Sequence, residues 1–222
     1  MRIIGLLFIS LLHAKTALFT PPSGWEIAQT KQASPYVKIG FLGKGSGEFR
    51  PSINLAVEGE VDLSLKEYVK VVKELQMAEA GTQLRDLGTF PMQCGKGRLL
   101  EITNPSPWGD IKVLQALYVQ DKQAYILTAA VLREDFLNMQ KEIVTALGTL
   151  TFTDDLFLQI EDVQKRKDFA AYFAQLGGSA QRDVEWDTFQ KKLSQFAHLG
   201  SYWVYLLAQE GHAKIYSSEG SK

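Results

Sequence analysis

The stretch DIKVLQALYVQDKQAYILTAAVLR, Asp110 to Arg133, decides the fold. It divides into two strand-like runs, Asp110–Gln120 and Gln123–Arg133, around the short polar link Gln120-Asp121-Lys122-Gln123, which reads as a hairpin turn. The second run is apolar on both faces, at Ile126, Leu127, Ala129, Ala130 and Val131, so it is expected at the centre of a sheet covered from both sides.

Beyond the hairpin, Glu134-Asp135 places acid where a helix start favours it. Phe136, Gln140, Ile143 and Leu147 then mark a helix closed by Gly148, and Leu150 and Phe152 finish the unit near Asp155. Upstream, Gly97–Thr103 reads as a strand, joined to the hairpin by the proline-rich loop NPSPWGD, Asn104 to Asp110. Further upstream, the period lengthens in SLKEYVKVVKELQMAEAG. Ser64 with Glu67 forms a capping box, Leu65, Tyr68, Val72 and Leu75 share a face, and Gly81 is a stop. Before that helix, Val37, Ile39 and Phe41 alternate with polar or small residues. Gly43–Gly47 (GKGSG) reads as a turn, and Ile53, Leu55 and Val57 alternate on the return. Strands, then a helix, then three long strands and a helix indicate an α+β fold, an antiparallel sheet flanked by helices.

This order, the opening motif PPSGWEIA, the helix SLKEYVK and the closing pattern QAYILTAAV…IVTALGTLTF together resemble the PsbP-like family. The resemblance covers roughly residues 20–153 and implies an α/β/α sandwich. That fold occurs in lumenal photosystem proteins, small exported bacterial proteins and the Ran-binding Mog proteins. It implies a protein that binds or helps assemble other proteins, and it brings no catalytic residue to transfer.

Residues 154–215 read differently. Leu156, Ile160, Val163, Ala170 and Phe173 fall at helical spacing, Leu176-Gly177-Gly178-Ser179 breaks the run, and Asp183 can cap a new helix. From Trp186, the residues Phe189, Leu193, Phe196, Gly200, Trp203 and Leu207 follow at alternating steps of 3 and 4, a seam for lengthwise helix packing. The expectation is an antiparallel helical hairpin, followed by a flexible tail over 216–222.

At the other end, Met1-Arg2 followed by an apolar run to Leu12 and small residues to Ala17 has the layout of a secretory signal peptide. The run is about half the roughly 20 apolar residues that a spanning helix needs. Cleavage is expected after Ala14 or Ala17. The domains are thus a signal peptide over 1–17, an α/β domain over 18–153, the hairpin and the tail. An exported, periplasmic location follows, with no integral membrane segment once the leader is removed.

Composition excludes several function classes. The formal charge is -1, and loss of Arg2 and Lys15 with the leader takes it to -3, whereas nucleic acid asks for a basic stripe. The single cysteine, Cys94, rules out an internal disulfide, so the core alone must hold the domain. GKGSG lacks the P-loop spacing and precedes a strand. His13 lies in the leader, and His198 and His212 are 14 residues apart with neither HExxH nor CxxC nearby, so no metal site is expected. No GxSxG surrounds a serine, Cys94 has no neighbouring histidine, and the pairs Glu134-Asp135 and Asp154-Asp155 sit where they cap helices. No catalytic residue and no cofactor are expected.

Binding is the remaining class. Pro107 and Trp108 combine a stiff loop with an aromatic anchor, and Tyr202, Trp203 and Tyr205 concentrate aromatic surface on the last helix. These five are the candidate contacts for a protein partner in the cell envelope, unless they fold back over the sheet. Two rival readings remain. One is a carrier with an apolar cavity between sheet and hairpin. The other is an enzyme whose site forms only in three dimensions, around Cys94 or His198 beside a carboxylate.

Overall fold

In a computed structural model, residues 15–28, 34–45 and 47–217 are described; the expected leader up to Ala14 and the last residues of the tail lie outside them. The elements run β1 (Thr16–Leu18), β2 (Glu26–Ile27), β3 (Val37–Leu42), β4 (Ser52–Glu58), α1 (Leu65–Met77), β5 (Gln83–Met92), β6 (Gly95–Asn104), β7 (Ile111–Gln120), β8 (Gln123–Leu132), α2 (Phe136–Gly148) and β9 (Thr151–Thr153). A short 3-10 turn, Leu156–Gln159, leads to α3 (Val163–Ala174), α4 (Arg182–Ser194) and α5 (Ser201–Tyr216).

The main sheet has the order β2-β3-β4-β8-β7-β6-β5, every neighbour antiparallel. Its centre is the β7–β8 hairpin, turned by Asp121 and Lys122, both left-handed at φ 52° and 58°. That is the two-residue turn whose twist matches the strands it joins. As the doubly apolar pattern requires, β8 feeds both faces. Tyr125, Leu127, Ala129 and Val131 join the larger core, while Ala124 and Ile126 meet Tyr68 and Val69 of α1 in the smaller one.

Helix α1 has the full capping box: Ser64 Oγ accepts from the Glu67 amide, and the Glu67 carboxylate accepts from the Ser64 amide at 2.9 Å. Its packing face is narrower than the sequence suggests. Tyr68 and Val69 are buried, but Leu75 is 66% exposed. The strand β5 was not foreseen. Its alternation is interrupted by a register shift between Asp86 and Gly88, with Gly88 at φ +94°, and Pro91 lies within the ladder opposite Lys96. Both features suit the sheet edge that it occupies.

The C-terminal region holds three helices rather than one hairpin of two. Gly200, at φ +99°, ends the seam as a turn instead of lying inside it. The chain reverses there, so Phe196 meets Trp203 at 6.0 Å between ring centroids and Trp186 meets His212 at 5.2 Å. α4 and α5 are therefore antiparallel, with Phe169 and Phe173 of α3 packed against Phe189. Asp183 does not cap α4, whose first flanking residue is Gln181. Its carboxylate instead accepts from the Tyr216 hydroxyl at 2.8 Å.

This helical layer packs on its own sheet. Tyr202 lies 5.5 Å from Phe19 and 6.3 Å from Phe41, and one continuous buried cluster runs from Ile39 through Leu147 to Ile215. The α+β architecture is thus a sheet with α1 on one face and α2 with the C-terminal helices on the other. A separate ribbon pairs β1 with β9, Thr16 opposite Thr153. It begins before Leu18, the expected start of the folded unit, because Ala17 is buried in the strand. Among the described residues, no helix is long and apolar enough to cross a membrane.

Candidate binding surfaces

The loop from Asn104 to Asp110 is fixed by its own hydrogen bonds. The Ser106 and Gly109 amides each donate to the other's carbonyl at 3.1 Å, the Ser106 hydroxyl donates to the Gly109 carbonyl at 2.6 Å and accepts from the Trp108 amide at 3.2 Å. Gly109 takes φ +110°, and Arg133 clamps the far end through its amide to the Asp110 carbonyl and its guanidinium to the carboxylate at 3.1 Å. The loop presents Pro107, exposed, and Trp108, 52% exposed and touching the Phe49 ring at 5.9 Å. Trp108 borders an open recess of about 500 Å³, whose far wall includes Leu137, 81% exposed at the start of α2.

The three candidates on α5 are placed otherwise. Tyr202 and Trp203 are 4% and 3% exposed, inside the molecule, so they are core residues and not contact residues. After the Gly200 turn, Tyr202 packs against Phe19 and Phe41, and Trp203 against Phe196. Burial pushes the Tyr202 hydroxyl up to about 12, and Trp203 Nε1 is spent on the Leu156 carbonyl at 2.8 Å. Tyr205 is half-buried. The space where a cavity between sheet and hairpin was considered is occupied by these rings. The recess lined by Phe19, Leu199 and Trp203 holds about 50 Å³, far below the roughly 300–1,000 Å³ of ligand pockets.

A second surface was not anticipated. Between α1 and the β5–β6 edge lies an open groove of about 770 Å³. Leu65, Val69 and Met77 give it an apolar lining; Lys66, Lys70 and Lys73 from α1 face Lys96 and Arg98 from β6. Asp86 sits between the walls. Arg98 Nε donates to it at 2.6 Å and Lys73 Nζ at 3.2 Å, and the Arg98 contact holds its carboxyl down at about 2. The helical spacing of Lys66, Lys70 and Lys73 was the available signal, but such a run is equally the solvated face of any surface helix.

Of the residues considered for catalysis, His198 lines a recess of about 270 Å³ together with Asp168, and Cys94 is not part of that recess. Cys94 is half-buried, its amide bonded to the Leu150 carbonyl, and burial pushes its thiol up to about 11. His212 meets the Trp186 ring edge-on and the Tyr216 ring at a tilt, and His198 lies beside Phe196. Asp155 caps the 3-10 turn by accepting from the Phe157 amide, and Asp135 occupies the position before α2. Among the described residues, no group of three or more His, Cys, Asp or Glu is placed to hold a metal ion.

No family model matches the chain, and no curated protein matches it. Solved structures do. LpqN of Mycobacterium tuberculosis, a protein involved in cell envelope biogenesis, is similar with a TM-score of 0.51 at 13% identity, over 65% of this chain and 87% of LpqN. PA94 of Pseudomonas aeruginosa, a protein of unknown function, scores 0.48 at 15% identity, over 59% of this chain and 99% of its own. The cyanobacterial PsbP of Synechocystis scores 0.44 at 12% identity, over 68% and 99%. At such identities the likeness is one of fold alone. The structures found include a PsbP protein, the type that the sequence resembles.

Proposed function

We propose that the protein is an exported, non-catalytic module that binds a protein partner in the cell envelope, with Trp108 as the anchor. The observation that carries this reading is a large aromatic side chain, half exposed, on a loop whose backbone is already fixed. Ordering such a loop on binding costs little, because its conformational entropy is lost on folding. Leu137 extends the apolar contact across the recess, Pro107 stands exposed next to Trp108, and Arg133 with Asp110 supplies a polar rim. Tyr205, half-buried on α5, is a peripheral contact at most.

Export is supported by the leader and is consistent with LpqN's role in the envelope of its own organism. Cleavage after Ala14 leaves β1 whole, whereas cleavage after Ala17 removes two of its three residues. The exported chain is therefore expected to begin at Lys15.

Affinity capture from envelope extract, with wild-type chain and with Trp108→Ala/Leu137→Ser, tests the reading. A protein retained by the wild type and lost from the variant, at equal thermal stability, supports it. Equal retention by the two sinks it. Sequencing the N-terminus of the chain recovered from the cell envelope checks the leader.

A further inference from the structure

The groove between α1 and the β5–β6 edge is charged unlike the rest of the chain. Its lining carries Lys66, Lys70, Lys73, Lys96 and Arg98 against only Glu74 and Asp86. That is an excess of three positive charges in a chain whose formal charge is -1. Asp86 is already committed to Arg98 and Lys73, and Glu74 reaches Lys70 only at 3.9 Å. Among the described residues, neither Lys66 nor Lys96 ends in a salt bridge, and both are exposed.

The arrangement of these charges selects the ligand. From Leu65 to Met77 the helical wall is about 18 Å long. It presents Lys66, Lys70 and Lys73 roughly one per turn, while Lys96 and Arg98 line the facing strand. Cations spread along both walls complement a ligand that is anionic along its length. A single-headed amphiphile asks instead for cations gathered at one end. Nucleic acid asks for aromatic platforms, and none of the lining residues is aromatic. Leu65, Val69 and Met77 between the lysines call for apolar groups between the negative charges.

We infer that this groove binds an extended acidic peptide segment of a partner protein, in which carboxylate side chains alternate with aliphatic ones. At about 3.3 Å per extended residue, the wall accommodates five or six residues. The groove shares no lining residue with the Trp108 recess, so the two surfaces are independent.

The test is fluorescence anisotropy of the full chain with a fluorescein-labelled octapeptide of alternating Glu and Leu. The same octapeptide with Lys in place of Glu, single-stranded oligothymidine and phosphatidylglycerol vesicles are the comparison probes. The acidic peptide is expected to bind, and to weaken at least about tenfold in Lys70→Glu/Lys96→Glu. Its binding is expected to fall steeply as salt rises to about 0.5 M. Trp108→Ala leaves it unchanged. Should charge reversal disturb folding, Lys66→Gln/Lys96→Gln, at wild-type thermal stability, weakens binding several-fold. Equal affinity for the Lys-containing peptide, insensitivity to both variants, or tighter binding to oligothymidine or vesicles than to the acidic peptide overturns the assignment.

Discussion

Trp203 Nε1 donates to the carbonyl of Leu156 across 2.8 Å, in a buried contact between residues 47 positions apart. This bond ties the start of α5 to the turn that follows β9, adding a directional link to the apolar packing of the helical layer. Trp203→Phe keeps much of the volume but leaves that carbonyl without its donor. The expected loss is about 1–3 kcal/mol. Trp203→Ala adds a cavity and raises the loss to about 3–5 kcal/mol. Urea unfolding followed by circular dichroism measures both; a Phe variant as stable as wild type would show that the bond contributes nothing.

Gly211 sets two effects against each other. In the middle of α5, replacement by Ala gains up to about 1 kcal/mol of helix propensity. A Cβ there, however, would clash with the edge of the Phe189 ring at Cε1 and Cζ, and that ring is fully buried. Overpacking a closed core costs about 1–3 kcal/mol, so the contact wins and Gly211→Ala lowers stability. Phe189→Leu in the same chain recovers part of the loss, a coupling that a double-mutant cycle reads directly.

Acid sensitivity centres on Asp86. Its carboxyl is held at about 2 by the Arg98 guanidinium, below the ordinary 3.8. A depressed folded-state value means that the stabilisation is complete above the unfolded value and disappears as pH falls from near 3.8 through about 2. The cations are more than a third exposed, at 37% for Arg98 and 36% for Lys73. Solvent screening therefore reduces the contribution to about 1 kcal/mol. Asp86→Asn is expected to lose that much at neutral pH and to flatten the acid limb of a stability–pH curve. An unchanged limb would remove Asp86 from the account.

Cys94 should be a slow nucleophile. With its thiol raised by burial from 9.0 to about 11, the thiolate at neutral pH is about a hundredfold scarcer than in an exposed cysteine. Reaction with Ellman's reagent is expected to be slow in the native chain and fast in urea. Rapid labelling of the folded protein would refute the burial argument.

Much of the fold could be read from period alone. The Asp110–Arg133 hairpin and the Ser64–Glu67 cap were visible because local pattern and tertiary placement agree there. β5 was hidden because Gly88 shifts the register midway and Pro91 and Asp86 are poor strand residues, tolerated only at an edge. Gly200 misled for a related reason. The heptad spacing passes through it undisturbed, and nothing in the spacing reports that its backbone is left-handed. For the binding surfaces, Trp108 was recognisable by its loop, whereas the fate of Tyr202 and Trp203 depended on the direction that Gly200 gives to α5. The α1 groove was beyond reach because two of its five cations, Lys96 and Arg98, come from a strand separated from the helix in sequence.

The β1–β9 ribbon gives the chain a timetable. Thr16 finds its partner at Thr153, and Phe19 beside it must wait for Tyr202. Nascent polypeptide emerges from its N-terminus, so the first strand to appear stays unpaired until most of the molecule has been synthesised. Contacts so distant along the chain make for slow closure. A polypeptide that delays its own completion in this way keeps its first strand open to other pairing until the later elements arrive.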